Sequence, residues 1–124
     1  MQTRLRISEK ANNQLNHLSN RLELRRNIVC RMAVGKSLTI NDSVKDYEFE
    51  DNKGPEFNRV TLTGDQDLIF KTFIIQHEGE KIDEVQYFIH YFRSHIERGL
   101  GMLYDEYKKI NSPINFLLKL IQQE

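Results

Sequence analysis

The sequence has little of what small proteins use to staple themselves together. Its 124 residues include one cysteine, Cys30, no tryptophan, two prolines and six glycines. A single cysteine excludes an internal disulfide and points to a reducing cytoplasm. So few prolines and glycines argue against disorder and against a turn-rich all-β fold. No run approaches the roughly 18 apolar residues of a membrane span. The charged first ten residues offer no apolar core for a signal peptide. The expectation is a cytoplasmic protein of one domain with no membrane partner.

Catalytic motifs are missing as well. Gly99-x-Gly101 is followed by no P-loop lysine and serine. There is no His-Glu-x-x-His and no cysteine pair for zinc or an iron–sulfur cluster. His17, His77, His90 and His95 do not stand at helical ligand spacing, and read as structural residues. Asp65 and Asp67 read as helix-start acids, and Glu78, Glu80, Asp83 and Glu84 as a solvated turn or an interface. Acid–base work needs buried carboxylates with tuned pKa values, which these positions do not suggest. The reading is a protein that is not an enzyme, with no catalytic residue, no metal and no cofactor.

Net charge is also absent, with 18 Lys/Arg against 18 Asp/Glu. The distribution is uneven, however. Residues 1–45 carry nine Lys/Arg and three acids, and residues 46–124 carry nine Lys/Arg and fifteen acids. A basic front and an acidic remainder give a directional field, whose basic side suits phosphate. The alternative is scattered solvated charge.

Periodicity gives a mainly α fold. Arg4-Leu5-Arg6-Ile7 alternates as a strand does, with Leu5 and Ile7 inward and both arginines outward. A strand this short needs a partner, most simply its copy from a second chain. Ser8 is a candidate N-cap for a helix with Ala11, Leu15, Leu18 and Leu22 as its stripe. Asn27 can cap a second helix to about Ser37, apolar almost all round, in which Cys30 is core and Gly35 permits close approach of another helix. Residues 39–58 form an acidic, turn-rich segment, either loop or weak hairpin, and the most mobile part. Phe57, Val60 and Leu62 suggest a short extended piece. Thr63 or Asp65 then caps a third helix with Leu68, Ile69, Phe70, Phe73, Ile74 and Ile75 buried. Asp83 to Lys109 forms one long helix, in which Gly99 and Gly101 mark a kink or a close backbone approach. Ser112-Pro113 starts a short last helix carrying Phe116, Leu117, Leu120 and Ile121. The organisation is thus a basic part over 1–38, an acidic loop over 39–58 and a helical assembly part over 59–124.

The basic part supplies the candidate site. Arg4 and Arg6 share one strand face, and Arg25, Arg26 and Asn27 stand at a helix start, where backbone N–H groups also favour phosphate. Lys10, Arg21, Arg31 and Lys36 could widen the patch, or Arg21 and Arg31 could instead pair with acids of a neighbouring subunit.

Strand, helix, helix behind a basic alternating strand resembles a ribbon-helix-helix module, whose strands pair across a dimer. A wider resemblance rests on four stretches: Arg4-Leu5-Arg6-Ile7-Ser8, Asn27-Ile28-Val29-Cys30-Arg31-Met32-Ala33, Leu62-Thr63-Gly64, and Arg93-Ser94-His95-Ile96-Glu97-Arg98-Gly99. These resemble the DndE family of the DNA sulfur-modification (phosphorothioation) system. The resemblance implies a small helical protein that assembles as a homotetramer and binds duplex DNA, with a preference for nicked duplex. It implies partners that supply the sulfur chemistry: a cysteine desulfurase and the DndB, DndC and DndD proteins. It implies no catalytic residue in this chain. The family's DNA surface is lysine-rich, whereas arginine dominates the first third here. A structural adaptor for an acidic protein, and a ribbon-helix-helix-type autorepressor, are the other readings.

Overall fold

Leu5 and Ile7 alternate with Arg4 and Arg6, and the backbone takes the extended form this pattern favours. In the computed structural model of the chain, which describes residues 3–122, β1 (Arg4–Arg6) buries Leu5 and leaves both arginines outside. Residues 1, 2, 123 and 124 of the expected divisions lie outside that range. The partner of β1 corrects one expectation. β1 pairs antiparallel with β2 (Glu56–Asn58) of its own chain, in the register Arg4–Asn58, Leu5–Phe57, Arg6–Glu56. The ribbon closes within one chain and needs no second copy.

Ser8 caps α1 (Glu9–Leu22), its Oγ accepting from the Ala11 N–H at 3.1 Å. Ala11, Leu15, Leu18 and Leu22 are buried, as their spacing predicts. α2 (Arg26–Leu38) begins before Asn27, with Arg25 at the cap position. Asn27 is not the cap because its amide has a tertiary acceptor, Thr61 O at 3.2 Å. Val29, Cys30, Ala33 and Val34 face the core. Burial pushes the Cys30 thiol up to about 12, which leaves it inert at neutral pH.

The expected long helix is three joined pieces: α5 (Glu84–Gln86), a π-helical turn (Tyr87–Phe92) and α6 (Arg93–Ile110). The wider turn lets Tyr87, Phe88 and Phe92 all be buried, with Phe88 stacked on Phe92 at 5.4 Å. α6 lies against α2, and Gly99 is the reason it can lie so close. A Cβ at Gly99 would stand 1.8 Å from Ala33 O. Close approach falls to Gly99 alone of the candidates: a Cβ at Gly35 or Gly101 would meet nothing within 4 Å.

The middle of the chain departs most from expectation. Val60 and Leu62 lie in a short helix, α3 (Arg59–Thr63), whose cap is Asn58. A 3-10 turn (Gly64–Gln66) leads into α4 (Asp67–Glu78). Of the six apolar residues expected inside, only Ile74 is fully buried, while Leu68 and Phe73 are 74% and 53% exposed. Apolar residues surround this helix, and its neighbours cover only one stripe. α7 (Pro113–Gln122) repeats the pattern: Phe116 docks edge-on to Tyr107 at 5.5 Å, but Ile121 is exposed with Ile114 and Leu118.

Candidate nucleic-acid interface

Three of the candidate basic residues stand opposite the acidic segment. Arg4 Nη1 lies 3.2 Å from Glu56 Oε1, and Arg6 Nη2 lies 3.9 Å from Glu56 Oε2. Arg6 Nη1 also donates to Gly54 O at 2.8 Å. Lys10 Nζ lies 3.6 Å from Glu50 Oε1. These side chains are exposed, so their ion pairs are screened and hold little energy.

The start of α2 forms the second part. Arg25 is exposed, α2 has no side-chain cap, and its first turn contains no acid. The first-turn N–H groups and the helix dipole therefore present unneutralised positive potential. Arg26 Nη2 donates to Asn12 Oδ1 at 2.7 Å, and its guanidinium lies 5.1 Å from the centre of the Phe57 ring. Arg26 thus joins α1, β2 and the start of α2, which sets that helix end beside the ribbon.

The remaining candidates are placed elsewhere. Arg21 reaches over Tyr107 at 5.6 Å. Lys36 is turned inward onto α6, 3.0 Å from Glu106 Oε1. Arg31 donates to the carbonyls of Leu62 and Thr61, at 2.6 and 3.4 Å, and so ties α2 to α3.

Sequence reasoning missed the polar framework under this surface. Arg93 and Glu97 form a buried pair at 2.7 Å. Glu97 accepts from the Ser8 N–H at 3.2 Å and the Ser8 hydroxyl at 2.8 Å, so α6 holds the cap of α1. Arg93 donates to Asn52 Oδ1 at 2.6 Å and Asp51 O at 2.7 Å, and lies 3.7 Å from the centre of the Phe49 ring. Asp51 in turn accepts from the Glu9 and Lys53 N–H groups, and these bonds hold its carboxyl below the usual range. The segment expected to be most mobile is thereby tied down at both α1 and α6. Arg98 donates to Ser37 Oγ, Ser37 O and Asp42 O, each at 2.8 Å. Arg59 and Asp67 form a further pair at 2.7 Å, and that hydrogen bond lowers the Asp67 carboxyl. The signal available for this framework was the 93–99 motif itself, in which Arg93, His95, Glu97 and Gly99 all prove to be buried.

The family model of DndE, described as DNA sulphur modification protein DndE, matches residues 4–111. The chain belongs to the DndE family. The match runs from β1 to the end of α6 and includes all four stretches that carried the resemblance. No curated protein matches the chain. Among solved structures, the DndE crystal structure from Escherichia coli B7A, described as involved in DNA phosphorothioation modification, superposes with a TM-score of 0.68 at 16% identity. The alignment covers 83% of this chain and 97% of that one. A DndE variant with two glycines changed to lysine, described as involved in DNA phosphorothioation, gives 0.65 at 18% identity, covering 85% and 99%. This chain therefore has the DndE fold, with a short two-stranded ribbon followed by helices.

Proposed function

We propose that this member of the DndE family is a DNA-binding accessory subunit of the phosphorothioation system. It holds duplex DNA, preferably nicked, through phosphate contacts and contributes no catalytic residue. The observation that carries this reading is the uncapped start of α2, flanked by exposed Arg25 and set beside the Arg4 and Arg6 ribbon. Exposed ion pairs to Glu56 and Glu50 can open at little cost, so Arg4, Arg6 and Lys10 can turn to phosphate. Arg26 and Asn27 act at the edge of the same surface, Arg21 lies apart from it over Tyr107, and Lys36 supports α2 from behind. The sulfur chemistry comes from partners: DndB, DndC, DndD and a cysteine desulfurase, in the cytoplasm.

Self-assembly, as a homotetramer, belongs to the same reading. Val60, Leu68, Ile69, Phe73 and Val85 leave an apolar surface around α4, and Ile114, Leu118 and Ile121 leave another on α7. Faces of this kind are commonly covered by a partner. In this proposal the 59–124 part assembles the oligomer and repeats the 1–38 surface along the DNA. Light scattering of a variant carrying Leu68→Asp and Phe73→Asp should show smaller particles than the parent. An unchanged mass would remove α4 from the interface.

Fluorescence anisotropy with intact, nicked and single-stranded DNA tests the function. Binding should weaken steeply from 50 to 200 mM salt, with a slope of about −0.9 per phosphate contacted. Arg4→Glu, Arg6→Glu and Arg25→Glu together should flatten that slope by roughly 2.7 if each touches one phosphate. Arg26 is left in place because it holds Asn12. Binding unchanged by the triple reversal would refute the surface. The adaptor reading has one observation in its favour, the internal pairing of Arg4, Arg6 and Lys10, and it predicts no DNA binding at 50 mM salt. Pairing of β1 within its own chain weighs against an autorepressor of the ribbon-helix-helix kind.

A further inference from the structure

Two imidazoles and a carboxylate from separate parts of the sequence meet at one point in the core. His77 and Glu78 occupy the last turn of α4, and His95 lies in the first turn of α6. His95 is fully buried, and the side chains of Glu78 and His77 are 2% and 9% exposed. The rings meet edge to face, with centroids 5.1 Å apart. Glu78 Oε2 lies 3.6 Å from His77 Nδ1. His77 Nδ1 and His95 Nε2 are buried without a hydrogen-bond partner. Buried polar atoms are nearly always paired, so two bare ring nitrogens beside a carboxylate need a shared partner.

The outer ring nitrogens have protein partners, and the two that lack one are His77 Nδ1 and His95 Nε2. His77 Nε2 lies 2.6 Å from Ile40 O. A carbonyl only accepts, so Nε2 carries the hydrogen, and the neutral ring leaves its lone pair on Nδ1. Ser37 Oγ lies 2.8 Å from His95 Nδ1 and accepts from Arg98 Nε at 2.8 Å. As a ligand, His95 carries its hydrogen on Nδ1 and donates it to Ser37 Oγ, which leaves the Nε2 lone pair for the ion. Glu78 is steadied by the Ser43 hydroxyl at 2.5 Å and the Val44 N–H at 3.2 Å. Histidines that ligate metals donate their second N–H outward in this way.

We propose that His77, Glu78 and His95 form a site for one divalent transition ion of the zinc class, which pins the C-terminal end of α4 to the start of α6. Two imidazoles and one carboxylate suit zinc, with a fourth position left for water. The three ligand atoms lie within 4.8 Å of one another. Zinc bonds of about 2.0–2.2 Å set tetrahedral ligand atoms ~3.4 Å apart, so no separation has to close by more than about 1.4 Å. The last carbonyls of α4 add negative potential at the site. The site is independent of whether the chain binds DNA.

Zinc and cobalt titration into the untagged, chelator-treated full chain tests the proposal. One ion should bind per chain and raise the melting temperature. Glu78→Gln and His95→Gln should each lower affinity by at least about 100-fold, the upper end of what even an outer-shell loss costs. His17→Gln, outside the cluster, should leave affinity unchanged. Should either ligand variant fail to fold, the cobalt spectrum of the unsubstituted protein decides: it should show tetrahedral bands without thiolate charge transfer. Three results would overturn the site. They are no uptake by the folded chain at micromolar ion, uptake that Glu78→Gln and His95→Gln both retain, and a thiolate band that assigns the ion to Cys30.

Discussion

Replacing Gly99 with alanine would set the new Cβ 1.8 Å from Ala33 O, 2.4 Å from its carbonyl carbon and 2.8 Å from its Cα. All three are backbone atoms, so no side-chain rotation relieves the clash. Ordinary contact begins at 3.4 Å, and α2 and α6 must therefore separate by about 1.6 Å. The gap would run past Val29, Cys30 and Ala33 on one helix and Ile96, Leu100 and Leu103 on the other. A gap of only ~0.5–1 Å forfeits a quarter to a half of each contact's attraction. Better helix propensity returns about 1 kcal/mol. Overpacking ordinarily costs about 1–3 kcal/mol, and a backbone clash belongs above that middle, so we expect a net loss of about 2–4 kcal/mol. Gly101 lies two residues further on and is the control. Its Cβ position is open, so Gly101→Ala should stabilise by about 0.4–1 kcal/mol. Urea denaturation followed by circular dichroism measures both. A Gly99→Ala protein as stable as its parent would refute the argument, as would equal losses at both positions.

Glu97→Ala should cost about 3–5 kcal/mol, because it leaves the Arg93 charge buried and unpaired. Ser8→Ala should cost about 1 kcal/mol through the lost cap. The double variant should lose less than the two together, and strictly additive melts would contradict the Ser8–Glu97 bond. Acid should act through Asp67, whose carboxyl is lowered chiefly by the Arg59 hydrogen bond. Its contribution is complete above the ordinary carboxylate pKa of about 3.9, and is lost as pH falls through the lowered folded value. The stability gap between the parent and Asp67→Asn should therefore narrow in that acid range. A gap constant down to the acid limit of folding would show that the pair contributes nothing.

The legible parts of this fold were those with a local cause. Ser8 declared its cap, and the fours and threes of Ala11, Leu15, Leu18 and Leu22 declared the buried stripe of α1. Phe57 suggested an extended piece, but the pairing of β2 with β1 was illegible, because Glu56-Phe57-Asn58 has one apolar residue and no period. α4 misled for the opposite reason. Its apolar residues are plentiful, but composition does not say how many neighbours arrive to cover them. At the candidate interface, the exposure of Arg4, Arg6 and Arg25 followed from pattern. The inward turn of Lys36 toward Glu106 did not, because the two residues are joined only by tertiary packing. The same holds for His77, Glu78 and His95, whose spacing along the chain gives no hint that α4 and α6 bring them together.

The bond from Ser8 to Glu97 spans 89 positions of sequence, and this sets an order of events in the cell. At synthesis rates of about 5–20 residues per second, Glu97 follows Ser8 by roughly 4–18 seconds. Throughout that interval the basic segment lacks the carboxylate that steadies α1. Arg93, which anchors Asp51 and Asn52, is equally late. The basic surface of residues 4–26 is therefore among the last parts of the molecule to take shape, although its residues are made before those of α6. A chain that stops short of α6 carries the positive charge but not the means to hold it in place.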